Sequence, residues 1–257
     1  MMESSTSSLP LLDIVDLSLG YDNFSIIHNA SFSVQTGECV AIMGESGCGK
    51  STLLRSLVGL LAPFSGEILF NGNSLWDKGH PNQKVLYHLG VLFQGAALWS
   101  SMNLLENVCL PLESFSGLDK KEIKELAMHK IDLVGLTGAE LLYPSQLSGG
   151  MKKRAGIARA LALDPKVLFF DEPSAGLDPV NSGQLDDLII DLKENLKLTF
   201  VVVSHELKSI YSIADHAVFL SPSTRTIVAS DHPKNLSDRE RYPELSAFFQ
   251  LGSHTVI

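Results

Sequence analysis

Apolar residues recur along the chain with different periods, and each period predicts a different kind of element. Leu12-Asp-Ile-Val-Asp-Leu-Ser-Leu19, Ala30-Ser-Phe-Ser-Val34 and Gly66-Glu-Ile-Leu-Phe70 alternate apolar with polar positions. Period two lines one face of a strand, so these segments predict half-buried, antiparallel strands. Cys39-Val-Ala-Ile-Met43, Lys166-Val-Leu-Phe-Phe170 and Thr199-Phe-Val-Val-Val203 are instead continuous apolar runs. Such runs suit parallel strands covered on both faces. Each ends at a polar or glycine residue, and ligands of open parallel sheets bind just beyond those carboxyl ends. Helical spacing appears from about Asp119 to Leu136 and from Gly149 to Leu163. Ser148 is placed as N-cap of the second helix and Asp164-Pro165 as its terminator.

The first chemistry follows directly from this pattern. Gly44-Glu-Ser-Gly-Cys-Gly-Lys-Ser-Thr52 begins where the strand Cys39 to Met43 ends and satisfies G-x-x-x-x-G-K-[ST]. Gly44, Gly47 and Gly49 let the backbone curl until its N–H groups, including those of Glu45, Ser46 and Cys48, converge on phosphate oxygens. A helix starting at Lys50 adds its positive end. Lys50 is placed to bridge the β- and γ-phosphates and Ser51, beside Thr52, to ligate Mg²⁺. The pattern arises by accident in roughly 1% of chains of this length.

Val167-Leu-Phe-Phe-Asp-Glu172 ends a buried strand in two carboxylates. After a P-loop, Asp171 is expected to hold the Mg²⁺ shell and Glu172 to polarise the attacking water. Leu147-Ser-Gly-Gly-Met151 offers Ser148, Gly149 and Gly150 at a helix start, a second phosphate nest far along the chain. Either the fold joins the two nests, or each chain offers its second nest to a partner's nucleotide.

Charge and composition narrow the class. The 257 residues are 45% hydrophobic, enough for a sizeable core, and the net charge of −9 disfavours a charge-driven nucleic-acid binder. No apolar run approaches the ~20 residues of a membrane span, and the Ser-rich start has no basic or apolar secretory region. Cys39, Cys48 and Cys109 are an odd number without metal-like spacing, which fits a reducing cytosol.

P-loop, Leu-Ser-Gly-Gly and Phe-Phe-Asp-Glu-Pro together resemble the ATPase subunits of ABC transporters, from about Leu11 to Val228. The resemblance implies further roles. Gln94 matches the Q-loop, a Mg²⁺ and water contact that also senses the membrane partner. Asp178 in Ser174-Ala-Gly-Leu-Asp178 matches the D-loop at the dimer seam, and His205 the histidine that contacts the γ-phosphate. Tyr21 matches the adenine-stacking aromatic, with Phe24 as the alternative. Leu92-Phe-Gln-Gly-Ala-Ala-Leu-Trp-Ser-Ser-Met-Asn-Leu-Leu-Glu-Asn-Val108 and Met151 resemble the MlaF-like branch that serves lipid transport. Glu206 and Ser174 depart from the commoner Asp and Thr without touching hydrolysis.

The expected fold is therefore an α/β, RecA-like P-loop NTPase core with an antiparallel β layer and an inserted helical subdomain, about 94–146. An ABC ATPase domain spans 11–230, between a disordered tail (1–10) and a C-terminal tail (231–257). Pro243-Glu-Leu-Ser-Ala-Phe-Phe249 in that tail reads as a closing helix or a partner contact. ATP and Mg²⁺ are the implied cofactors. The implied partners are a second copy, a membrane permease, a small regulatory subunit and a lipid-binding subunit, at the cytoplasmic face of a membrane, with no nucleic acid. Another solute or a soluble, non-transport ABC ATPase are the alternatives. A switch GTPase would need an Asn/Thr-Lys-x-Asp motif, and the sequence has none.

Overall fold

Successive residues of the central strands face two different cores, which explains why they read as unbroken apolar runs. The computed structural model describes residues 9–22 and 24–253. Residues 1–8 of the expected N-terminal tail lie outside them.

The first half runs β1 (Leu12–Tyr21), β2 (Phe24–Val34), β3 (Cys39–Met43), α1 (Lys50–Leu57), β4 (Ser65–Phe70), β5 (Asn73–Ser74), β6 (Trp76–Asp77), β7 (His80–Pro81), α2 (Gln83–Leu86) and β8 (Leu89–Leu92). It continues through α3 (Leu104–Phe115), α4 (Lys120–Leu133), α5 (Gly149–Ala160), β9 (Val167–Asp171), α6 (Pro179–Leu196), β10 (Thr199–Val203) and α7 (Leu207–Ile213). β11 (His216–Leu220), β12 (Ile227–Asp231), α8 (Pro233–Leu236) and α9 (Ser246–Ser253) complete the described chain.

One sheet has the order β2-β1-β4-β5 and is antiparallel. The other, β12-β11-β3-β10-β9-β8, is parallel except for the β11–β12 pair. The period-two segments thus form the first sheet and the continuous runs form the second, as their patterns predict.

Val40, Ile42, Phe169, Val201 and Val203 join Leu53, Leu54 and Leu57 of α1 and the inner face of the antiparallel sheet in one core. Ala41, Met43, Phe170, Phe200 and Val202 point the other way, into a core shared with α3 to α7. Burying such side chains on both faces contributes roughly 1.5–3 kcal/mol each. Cys39, Cys48 and Cys109 are buried and unpaired.

Helix ends explain the differences from the expected boundaries. α4 is held at its start by a reciprocal pair, Asp119 accepting from the Glu122 N–H and Glu122 accepting from the Asp119 N–H. It stops at Leu133 because the N–H groups of Gly135 and Leu136 fold back on the carbonyls of Asp132 and Ile131. α5 stops at Ala160, short of Leu163, ahead of Asp164-Pro165. α3 was not anticipated as a separate helix, since Pro111 lies inside it. The C-terminal residues pack: Leu236 and Leu245 are fully buried, and Phe248 stacks edge-on against Phe219. Among the described residues, no helix is long and apolar enough to cross a membrane.

Candidate functional site

Parallel pairing aligns the carboxyl ends of four strands. Val203 is opposite Ile42 on one side and Asp171 on the other, and Leu92 is opposite Phe170. The loops that follow carry the P-loop, Gln94, the Asp171-Glu172 pair and His205, so sheet register alone gathers residues as far apart as Gly44 and His205.

The P-loop leaves β3 through Gly44, whose φ is 151°. A Cβ there would lie 2.4 Å from the Leu220 carbonyl oxygen and 2.7 Å from Cys48 Sγ, so only glycine fits. Gly49, at φ 110°, caps α1. Lys50 is 9% exposed, and its ammonium donates to the carbonyls of Gly44 at 2.7 Å and Glu45 at 3.0 Å. The charge therefore sits inside the curl of the loop, at the start of a helix. Burial pushes the adjacent Cys48 thiol up, with Lys50 opposing.

Asp171 closes β9. Burial raises its carboxyl above the usual range and the Glu172 charge adds to that, while Arg55, Lys153 and the Ser51 hydroxyl oppose it. Its Oδ1 is buried with no hydrogen-bond partner among the described residues. A buried carboxylate oxygen lacking a donor, near a serine hydroxyl, has the hard-oxygen chemistry that suits Mg²⁺. Clusters of three or more His, Cys, Asp or Glu able to hold a metal are absent among the described residues.

Glu172 follows with φ 48°, a left-handed conformation a non-glycine residue adopts under constraint. Its N–H donates to the Val203 carbonyl at 2.9 Å. Its Oε1 lies 2.8 Å from His205 Nδ1. The glutamate side chain is 15% exposed and the histidine 63%, so at the carboxyl ends of β9 and β10 the imidazole faces solvent and the carboxylate lies beneath it.

Gln94 is exposed, and its main-chain carbonyl accepts from Lys153 of α5 at 2.6 Å. Lys153 also donates to the Glu172 carbonyl at 3.1 Å. Burial lowers the Lys153 pKa, opposed by the Asp171 and Glu172 charges. The sequence reading missed this lysine. The available signal was a cation on the buried face Lys153, Gly156, Ile157 of a helix.

The signature residues lie elsewhere. Ser148 caps α5, accepting from the Met151 N–H at 3.2 Å. Beside it is a cleft of about 440 Å³ lined by Ser148, Gly150, Gly138, Arg154, Asn181 and Gln184 among others, none of them a P-loop residue. Asp178 caps α6, accepting from the N–H groups of Val180 and Asn181 at 3.1 Å and from the Asn181 side chain. These bonds lower its pKa. Tyr21 is paired with Phe24 across the β1–β2 hairpin, its hydroxyl accepting from Arg55 at 2.8 Å. Arg225 lies over the Phe24 ring at 5.0 Å.

After Gln94, Ala96 is buried, Leu98 is partly buried and Trp99 is 58% exposed. Asn107, fully buried, holds this loop. Its Oδ1 accepts from the Trp99 N–H at 2.8 Å, and its Nδ2 donates to the carbonyls of Trp99, Met102 and Asn103.

A triphosphate tail is the ligand that such a loop, buried lysine and acidic strand end accommodate, so by class the molecule is a P-loop nucleoside triphosphatase. The chain belongs to the ABC transporter family, whose profile matches residues 27–175. It is 43% identical over 221 residues to the intermembrane phospholipid transport system ATP-binding protein MlaF of Escherichia coli, covering 86% of this chain and 81% of that one. It is also 36% identical over 245 residues to the "Probable ribonucleotide transport ATP-binding protein mkl" of Mycobacterium tuberculosis, covering 90% of this chain and 67% of that one. Among solved structures it is similar to a dimeric ATP-binding cassette in a post-hydrolysis state bound to ADP and Pi. There the TM-score is 0.74 and the identity 26%, over 86% of this chain and 98% of that one. The chain is thus an ATP-binding and ATP-hydrolysing subunit of the ABC class.

Proposed function

We propose that two copies of this chain bind two ATP molecules between them and drive lipid transport through a membrane permease. One observation carries the shared site: the cleft beside Ser148 contains no P-loop residue, so the two phosphate-binding elements of one chain serve different nucleotides. Lys50 and the P-loop N–H groups of one copy hold the phosphates, and Ser148, Gly149 and Gly150 of the other close over the γ-phosphate. Asp178 borders that seam, and Tyr21 stacks on the adenine.

Ser51, Asp171 and Gln94 are the residues that would hold Mg²⁺, which when bound neutralises charge on the β- and γ-oxygens. Glu172 orients and polarises the attacking water, and His205, hydrogen-bonded to Glu172, contacts the γ-phosphate. ATP favours the closed pair because both copies touch its γ-phosphate, and hydrolysis removes that link. Permease contact falls on the segment from Gln94 to Leu104, where Trp99 is exposed. Attachment to the permease places the chain at the cytoplasmic face of the membrane, with a regulatory and a lipid-binding subunit as further partners.

The lipid cargo rests on the likeness to MlaF. Deleting the gene and measuring lipid distribution in the cell envelope tests it, with a redistribution expected. Normal lipid distribution with lost uptake of another solute, a nucleotide among them, would refute the cargo. Mixing Ser148→Arg with Lys50→Ala chains tests the sharing, because the heterodimer keeps one intact site and partial ATPase recovery is expected.

A further inference from the structure

α5 is pressed unusually close to β8 and the loop after it. A Cβ at Gly156 would lie 2.6 Å from Leu92 Cδ1 and 3.3 Å from the Ala96 carbonyl oxygen. One at Gly90 would lie 2.5 Å from the Ala160 carbonyl oxygen. In this tight contact the helix presents two cations where small or apolar residues would pack. Lys153 is 5% exposed, and a buried ammonium is costly unless it is bonded. Its bonds go to the main chain of Gln94 and Glu172, one residue in each of two site loops. Arg159 takes two further carbonyls of the first loop, Ala97 at 2.5 Å and Ala96 at 3.0 Å. Both alanines have positive φ, 59° and 49° in chain order, a conformation that persists when surrounding bonds enforce it.

We propose that Lys153 is a positioning residue for hydrolysis, its ammonium fixing the main chains of Gln94 and Glu172 against each other. Glu172 is held from both sides. Its N–H is tied to β10 through Val203, its carbonyl is tied to α5 through Lys153, and its carboxylate faces His205. With φ at 48° the residue depends on these ties to aim its side chain. Movement of α5, the helix that Ser148 caps, therefore reaches Glu172 and Gln94 through one side chain. Both bonds of the Lys153 ammonium go to main-chain carbonyls outside the P-loop, so its loss acts on the aim of Glu172 and leaves the phosphate cradle intact.

This inference rests on Glu172 polarising the water, and the experiment separates the two. Steady-state ATPase kinetics and nucleotide binding are measured on the full chain as wild type, Lys153→Met, Lys153→Gln, Lys153→Arg and Glu172→Gln, each with a thermal unfolding curve. Lys153→Met is expected to keep KM and nucleotide affinity within about twofold while kcat falls roughly tenfold or more. Lys153→Arg, which keeps charge and donors, should recover most of the loss. If the Met variant does not fold, the neutral donor Lys153→Gln carries the same comparison, with a smaller loss of kcat. An inactive Glu172→Gln beside a folded Lys153 variant with wild-type kcat would overturn the inference alone. So would a loss that Arg fails to recover, or one that falls on KM. Wild-type turnover by Glu172→Gln would remove the reading of Glu172 and this inference with it.

Discussion

His205 Nδ1 and Glu172 Oε1 lie 2.8 Å apart, although the residues are 33 positions apart in the chain. The contact follows from β9 and β10 being parallel neighbours in register, with Asp171 opposite Val203. Sheet pairing, and not local sequence, brings the acid and the imidazole together.

His205→Ala should accordingly lower kcat for ATP by at least ~10-fold while leaving nucleotide affinity within about twofold. The imidazole is 63% exposed, so its removal opens no core cavity and the unfolding curve should not move. Turnover equal to wild type would show that the pair has no part in hydrolysis.

Asn107→Ala should destabilise the chain by about 2 kcal/mol, because it strands the Trp99 N–H and the carbonyls of Trp99, Met102 and Asn103 in a buried site. Denaturant unfolding measures the loss, and a shift in tryptophan emission should accompany it as the loop bearing Trp99 loosens. An unchanged midpoint would mean that the loop is held by other contacts.

Asp186 gives a pH dependence whose sign is fixed by its surroundings. Burial, the largest influence, raises its carboxyl from 3.8 to about 6, and Glu206 and Asp187 add to this. The Ser209 hydroxyl donates to it, and that bond opposes the shift together with Lys208. Below the unfolded pKa both states carry the proton. Between there and about pH 6 only the folded state does, so this group's contribution falls as pH rises and is gone above the folded value. Relative to wild type, Asp186→Asn should gain on the order of 2 kcal/mol in unfolding free energy between pH 4 and 7. Parallel stability profiles for the two proteins would contradict the raised pKa.

The legible parts of this sequence are those where backbone geometry or two-faced burial restricts residue choice. Gly44 and Gly49 must be glycine for the loop to close under Leu220 and onto α1, and β3, β9 and β10 must be apolar throughout to separate two cores. Ser148 was readable as a cap because a side-chain oxygen at a helix start has one local task. Lys153, Arg159 and Asn107 were not readable, because their partners are main-chain carbonyls whose positions exist only once the fold does. The end of the chain was dim for another reason. Leu236, Leu245 and Phe249 are isolated apolar residues among polar ones, and burial against the finished core gives them their place.

Gel filtration and ATPase assay of Glu172→Gln, with and without Mg-ATP, test whether Glu172 polarises the water that attacks an ATP held between two copies. The amide keeps the size of the side chain and removes the carboxylate that polarises water, so ATP should bind and persist. Turnover should fall by ~10²-fold or more, with an ATP-dependent shift from monomer to a dimer holding unhydrolysed ATP. A monomer peak unchanged by Mg-ATP, together with wild-type turnover, would contradict it.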